Sequence, residues 1–233
     1  VFALLGAKPW ISVQKPLNLM KFRVREISRA GDLELVVAAF RAAFSNQGQI
    51  CLCGSRILVH KNIIDDVTES LLKKISEMVI GDPLNENTMM GALVSENHLK
   101  KVESCLQTAR EEGGKILTGG ERFSPEGRCA DGYFLTPALI NGLPHSAKTN
   151  QEEIFGPVAS LIPFSNEEEA LKLANDVRYG LAASLWTKDI DRALRMSEKI
   201  EAGTVWVNTW MKRDLRTVFG GVKDSGLGRE GGS

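Results

Sequence analysis

The segment Phe44-Ser-Asn-Gln-Gly-Gln-Ile-Cys51-Leu-Cys53-Gly-Ser-Arg56 surrounds a cysteine with small and amide residues. A thiol in such a loop can be exposed and can lie beside backbone N–H groups, whose dipoles stabilise first a thiolate and then an oxyanion. That is the chemistry of a covalent nucleophile. Residue type alone leaves a second reading open, in which Cys51 is a small buried hydrophobe, as most cysteines are. Cys53 completes a C-x-C pair, but no second pair follows. His60, His98 and His145 are not at ligand spacing either, so a metal site is not expected.

Two further segments carry polar chemistry. In Gln151-Glu-Glu153-Ile-Phe155-Gly-Pro157 a carboxylate at a loop–strand junction can accept hydrogen bonds from ligand hydroxyls, and the phenyl ring can lie against a planar group. The alternative is a solvated Glu-Glu loop anchored by Phe155. The stretch 207–221 forms a long polar loop after the last strand, and loops at strand carboxyl ends are common ligand sites in α/β sheets. Its Lys212, Arg213 and Arg216 could hold an anionic substrate, or simply face water.

Regular elements must position these loops. Leu35–Phe44 reads as an Ala-rich helix, Ser55–His60 as a strand, and the stretch from Asn62 as a helix ending before Gly81 and Pro83. A second amphipathic helix starts near Ser95 and stops at Gly113-Gly114. Strands follow at 115–118, 132–140 and 158–164. Asn166 with Glu169 opens a helix closed by Gly180. Strand 181–186, helix 189–200 and strand 203–207 complete a βαβαβ run, which demands crossover helices over parallel neighbours. The spacing predicts an open, mostly parallel α/β sheet with helices on both faces. The glycine-rich tail from Phe219 reads as loop.

Composition narrows the class. The 233 residues are 43% hydrophobic and 25% charged, with 29 basic and 29 acidic side chains. That is enough apolar matter for a core, which argues against disorder, and the charge balance argues against a nucleic-acid module. No run approaches the length of a membrane span, and Val1–Ala7 lacks the basic flank of a signal peptide. Four irregularly spaced cysteines fit a reducing compartment, hence the cytoplasm, better than a disulfide framework.

Taken together and in order, the motifs resemble the catalytic half of the aldehyde dehydrogenase superfamily from about residue 33 to 232. The carrying segments are 44–56, Gly-Tyr-Phe-Leu-Thr-Pro at 132–137, Glu-Glu-Ile-Phe-Gly-Pro-Val at 152–158, Ala-Asn-Asp through Tyr-Gly-Leu-Ala-Ala at 174–183, and Gly-Gly-Val-Lys-Asp-Ser-Gly-Leu-Gly-Arg-Glu at 220–230. The resemblance implies that Cys51 attacks an aldehyde, that hydride passes to NAD (or NADP), and that the resulting thioester is hydrolysed. It implies that the Cys51 amide supplies half of the oxyanion hole, that Glu153 holds the nicotinamide ribose and that Phe155 packs beside the nicotinamide. The loop 208–217 resembles the branch that oxidises hydroxymuconic and aminomuconic semialdehydes, where an arginine matching Arg213 grips the substrate carboxylate.

The same resemblance divides the chain into an atypical basic segment (1–33), a catalytic domain (34–220) and a Gly-rich tail (221–233). Leu4-Leu-Gly-Ala-Lys-Pro9 resembles an altered form of the family's Glu-Leu-Gly-Gly-Lys-Pro motif, with Leu4 where a glutamate acts as general base. The family's cofactor domain and terminal pairing strand are not recognised in the sequence. The expectation is therefore a fragment with no NAD binding and negligible turnover alone, from a family whose members are homo-oligomers. The alternative is a non-catalytic remnant that keeps the fold and at most pairs with intact subunits.

Overall fold

The computed structural model describes residues 2–4 and 33–232. The basic stretch 5–32 lies outside the described residues. The elements are β1 (Phe2–Leu4), α1 (Leu33–Phe44), β2 (Arg56–His60), α2 (Ile64–Ser76), α3 (Glu96–Glu111), β3 (Lys115–Thr118), β4 (Arg122–Phe123), β5 (Phe134–Leu135) and β6 (Ala138–Asn141). There follow α4 (Lys148–Gln151), β7 (Val158–Phe164), α5 (Glu167–Asn175), β8 (Tyr179–Gly180), β9 (Ala182–Trp186), α6 (Ile190–Lys199), β10 (Thr204–Val207) and β11 (Val222–Lys223).

Seven strands form one open sheet in the order β10-β9-β1-β2-β7-β6-β3. All neighbours are parallel except the edge pair β3 and β6. The central pair runs from Arg56 opposite Ser160 to His60 opposite Phe164. Alternation along these strands sorts the core onto two faces. Ile57, Val59 and Leu161 pack with Phe40, Phe44 and Leu71 of α1 and α2. Leu58 and Ile162 point the other way, onto Ala170 of α5 and Met196 of α6. The helix α3 closes a third cluster through Val102 and Leu106 against Ala138 and Ile140 of β6. Helices therefore cover both faces, as the alternation of elements requires.

Helix starts follow the expected capping chemistry. Ser95 accepts from the His98 amide at 3.2 Å, Asn166 from Glu169 at 2.9 Å and Asp189 from Arg192 at 3.0 Å. Each satisfies an amide that has no intrahelical acceptor. Other boundaries move. The predicted strand 132–140 is two strands: β5 pairs with β4 and β6 joins the main sheet. Pro137 lies between them and has no N–H for a continuous ladder. The α5 helix ends at Asn175 instead of running to Gly180, because the Asn175 side chain bonds Lys199 O (2.8 Å) and the Glu201 amide (2.9 Å). Gly180 itself forms β8 and pairs with β11, so the glycine-rich tail holds a strand where loop is expected. Phe219 and Glu230 also exchange two backbone hydrogen bonds of 2.7 Å. Among the described residues no helix is long and apolar enough to cross a membrane.

Candidate active site

Immediately after α1 the chain turns sharply. Asn46, Gln47 and Gly48 have φ of 49°, 59° and 68°, three successive residues in the left-handed region. Such a run is strained and needs outside support. The support comes from side chains. Asn46 Nδ2 donates to Gln49 O (3.1 Å), Gln47 Nε2 donates to Ala92 O (3.1 Å), and Gln49 Oε1 accepts from the Val94 amide (3.1 Å). At Gly48 a Cβ would lie 2.0 Å from the Gly156 carbonyl oxygen, so only glycine fits. The amide residues of the motif thus hold the turn, and Gly48 presses it against the loop that carries Glu153.

The turn leaves Cys51 exposed, while Cys53, Cys105 and Cys129 are half-buried. Burial pushes the Cys53 thiol up to about 11 and also raises that of Cys105.

The second loop is set by Glu112. Its carboxylate accepts from the Lys148 and Thr149 amides (2.5 and 3.2 Å) and from Thr149 Oγ1 (2.7 Å). These bonds fix α4 and the residues after it. The Glu153 carbonyl accepts from Lys101 Nζ (3.1 Å), and the Phe155 carbonyl is 2.6 Å from His98 Nε2. Phe155 has φ of 59°, and its half-buried ring lies edge-on to His98 at 6.3 Å. With its carbonyl engaged, Glu153 keeps an exposed carboxylate.

Cys51 and Glu153 line one crevice of about 300 Å³, together with Cys53, Arg56, Asn150 and Tyr179. Phe155 is not part of that lining, although it is two residues from Glu153. Both loops enter at the amino ends of neighbouring parallel strands, since β2 begins at Arg56 and β7 at Val158. The carboxyl-end rule that singles out the 207–221 loop does not describe this crevice.

Arg213 lies elsewhere. It lines a second cavity of about 350 Å³ with Trp206, Leu215 and Phe219, and its guanidinium carbon sits 4.7 Å from the Phe219 ring centroid. That cavity is separate from the crevice that holds the nucleophile. Arg216 is committed to Asp214 through bonds of 2.9 and 2.5 Å. The loop does reach the cysteine loop through Trp210, whose Nε1 donates to Leu52 O at 3.1 Å.

Leu4 is also placed away from the nucleophile. It pairs in register with Val59 and Trp186, toward the carboxyl ends of the strands. Val59 is about 10 Å along β2 from Arg56 at ordinary strand rise, with the cysteine loop beyond. The position equated with the general base thus falls at the opposite end of the sheet from the crevice. No group of three or more potential metal ligands occurs among the described residues.

Sequence reasoning passed over two crevice residues, Arg56 and Asn150. Both are buried, at 8% and 2% exposure, and both carry side-chain atoms without a hydrogen-bond partner among the described residues. The available signal was an arginine at the start of an otherwise apolar strand.

The family model for the aldehyde dehydrogenase family matches residues 27–233. The chain is 42% identical to a 2-aminomuconic semialdehyde dehydrogenase of Mus musculus over 200 residues, covering 85% of this chain and 41% of that protein. It is 45% identical to a 2-aminomuconic 6-semialdehyde dehydrogenase of a Pseudomonas species over 194 residues, 82% of this chain and 39% of the relative. Among solved structures, betaine aldehyde dehydrogenase of Staphylococcus aureus in complex with NAD+ superposes with a TM-score of 0.82 at 38% identity, over 86% of this chain and 40% of the other. The chain belongs to the aldehyde dehydrogenase family. It spans about two fifths of the length of the relatives it matches.

Proposed function

We propose that this chain is the nucleophile-bearing part of an enzyme that oxidises an aldehyde to a carboxylate through covalent capture on Cys51. The observation that carries this reading is the pairing of the one exposed cysteine among the described residues with the Glu153 carboxylate in a single crevice. In the first step the Cys51 sulfur bonds to the aldehyde carbon, and the carbonyl π electrons move to oxygen. The backbone amide of Cys51 stabilises that oxyanion. Loss of hydride from the same carbon turns the thiohemiacetal into a thioester, and attack by water releases the acid and returns the thiol.

The residues present fit the nicotinamide end of NAD. Glu153 offers an acceptor-only carboxylate at the crevice, suited to the paired hydroxyls of a ribose, while Phe155, which the resemblance puts beside the nicotinamide, packs against His98 outside the crevice lining. A bound nicotinamide supplies a two-electron hydride acceptor. Glu153 would hold its ribose, leaving Cys51 to hold the carbon that is oxidised.

The substrate inferred is an aldehyde that also bears a carboxylate, a semialdehyde. The resemblance of the 208–217 loop and the names of the two semialdehyde dehydrogenase relatives support this. By that resemblance Arg213 is the candidate cation for the carboxylate. The experiment is a protection assay. An acid semialdehyde added before iodoacetamide is expected to slow alkylation of Cys51 at least tenfold relative to Cys105 and Cys129, which corresponds to about 1.4 kcal/mol of reversible capture. Unchanged alkylation of Cys51 at saturating aldehyde contradicts the reading.

A further inference from the structure

We propose that Trp210 is a positioning residue for the oxyanion: acting through two linked peptide groups, it aims and polarises the backbone N–H of Cys51. The inference rests on the functional reading above, in which that amide meets the developing charge.

Cys51 occupies the second position of a tight turn, closed by a 2.9 Å hydrogen bond from the Cys53 amide to the Ile50 carbonyl. The peptide that donates this bond, between Leu52 and Cys53, also carries the Leu52 carbonyl, which accepts from Trp210 Nε1 at 3.1 Å. The peptide that accepts it, between Ile50 and Cys51, carries the Cys51 N–H. That N–H donates to no acceptor among the described residues. The indole of Trp210, the amide of Cys53 and the amide of Cys51 therefore act in series. Hydrogen-bonded peptide groups polarise one another, so a donor at one end of the series strengthens the donor at the other. The indole also steers. The 52–53 peptide is held at both its N–H and its C=O, which fixes the turn that aims the Cys51 amide.

This support comes from a remote and rigid part of the fold. Leu52 is buried, and a buried carbonyl needs a partner. The partner lies 158 residues away along the chain. Around Trp210 the loop is pinned to neighbouring strands. Ser184 Oγ donates to Thr209 O at 2.6 Å, the Asn208 side chain accepts from the Thr187 amide at 2.9 Å and donates to Thr187 O at 2.8 Å, and Trp206 Nε1 donates to Lys212 O at 2.9 Å. The Trp210 ring packs against the cluster that holds Phe40 and Phe44 of α1. Just past the turn, the Gly54 amide donates to the Ala42 carbonyl of α1 at 2.8 Å. A phenyl ring at position 210 can reproduce the packing but not the donated hydrogen bond, which separates a polarising role from a merely structural one.

The test uses the whole chain and 1,1,1-trifluoroacetone labelled with 13C at its carbonyl. The Cys51 thiol adds across the C=O bond, sulfur to carbon and proton to oxygen, and the 13C resonance reads the pH at which the new hydroxyl ionises. Trp210→Phe is expected to raise that midpoint by about 0.5 of a pH unit, roughly a threefold loss of oxyanion stabilisation. The size follows because a cooperative bond contributes about 10–30% to a donor whose full removal costs on the order of a hundredfold or more. Alkylation of Cys51 by iodoacetamide builds no oxyanion and is expected to change by less than about twofold.

An unmoved midpoint overturns the inference. So does a raised midpoint with an equal loss of alkylation rate, which is what simple displacement of the turn produces. Should Trp210→Phe fail to fold, the unaltered chain carries the test. The 15N–1H resonance of the Trp210 indole is expected to move as the adduct ionises, while that of Trp206, bonded to Lys212 O, stays in place. No movement, or equal movement of the two, overturns the inference. In each of these outcomes the adduct still forms on Cys51 and the functional reading stands. If no adduct forms there at saturating ketone, the functional reading fails and this inference fails with it.

Discussion

Replacing Gly48 by alanine is expected to lower the thermal midpoint of the chain by roughly 6–12 °C, from a loss of about 3 kcal/mol. The added Cβ would stand 2.0 Å from the Gly156 carbonyl oxygen and 2.4 Å from its carbon, which is backbone and cannot rotate aside. The residue also has a φ of 68°, where any L side chain carries strain. Both effects fall on the contact between the loop of Cys51 and the loop of Glu153. Calorimetry measures the loss. As a control, Gly127→Ala meets nothing within 4 Å at a similar φ of 77° and isolates the conformational part. Equal losses at the two positions would mean that the close approach of the loops contributes nothing.

The second large effect is chemical. Iodoacetamide at neutral pH is expected to modify Cys51 at least a hundredfold faster than Cys53, its neighbour but one. Exposure contributes, since Cys51 is open to solvent and Cys53 is half-buried. Ionisation contributes more. Only the thiolate reacts, and with its pKa raised from 9.0 to about 11, Cys53 carries about a hundredfold less thiolate at neutral pH than a thiol at its ordinary value. The sign follows directly. A raised thiol pKa withholds thiolate until the pH approaches 11, so the Cys53 rate continues to climb up to that pH. Peptide-resolved mass spectrometry across a pH series reads both rates. Comparable labelling of the two cysteines at neutral pH would remove the distinction between nucleophile and structural thiol.

Much of the architecture is legible in the sequence because local chemistry and tertiary role agree there. The helix from Glu96 to Glu111 repeats its apolar residues at helical spacing and begins at a serine whose hydroxyl caps it. The strands Lys115–Thr118 and Val158–Phe164 fall where the apolar and β-branched runs put them. Cys51 stands out because its loop is built of amides and glycine, and the structure uses those amides to hold left-handed backbone.

What escapes sequence reading depends on partners remote in the chain. Nothing near Gly48 announces Gly156, and the contact becomes visible only when two loops meet at the amino ends of β2 and β7. Arg56 looks like a charge at a strand boundary, a position usually open to solvent, until β7 and the loops around it bury the side chain. Asn150 has the same history in the short polar helix α4. The β11 strand is hidden by its glycine-rich surroundings, because its pairing partner is Tyr179–Gly180, far upstream. Leu4 shows the converse. A local motif match puts it at the position of the family's general base, a role that a leucine leaves vacant, while sheet register sets its backbone beside Val59 and Trp186, toward the carboxyl ends of the strands.

The covalent step is open to direct observation. Mixing the chain with an aldehyde labelled with 13C at the carbonyl carbon, and no cofactor, is expected to convert part of the carbonyl resonance into a tetrahedral carbon bonded to sulfur. The converted signal should be absent in Cys51→Ala and present in Cys53→Ala. A tetrahedral adduct that persists in Cys51→Ala, or none in the unaltered chain at saturating aldehyde, would contradict the assignment of Cys51 as the nucleophile.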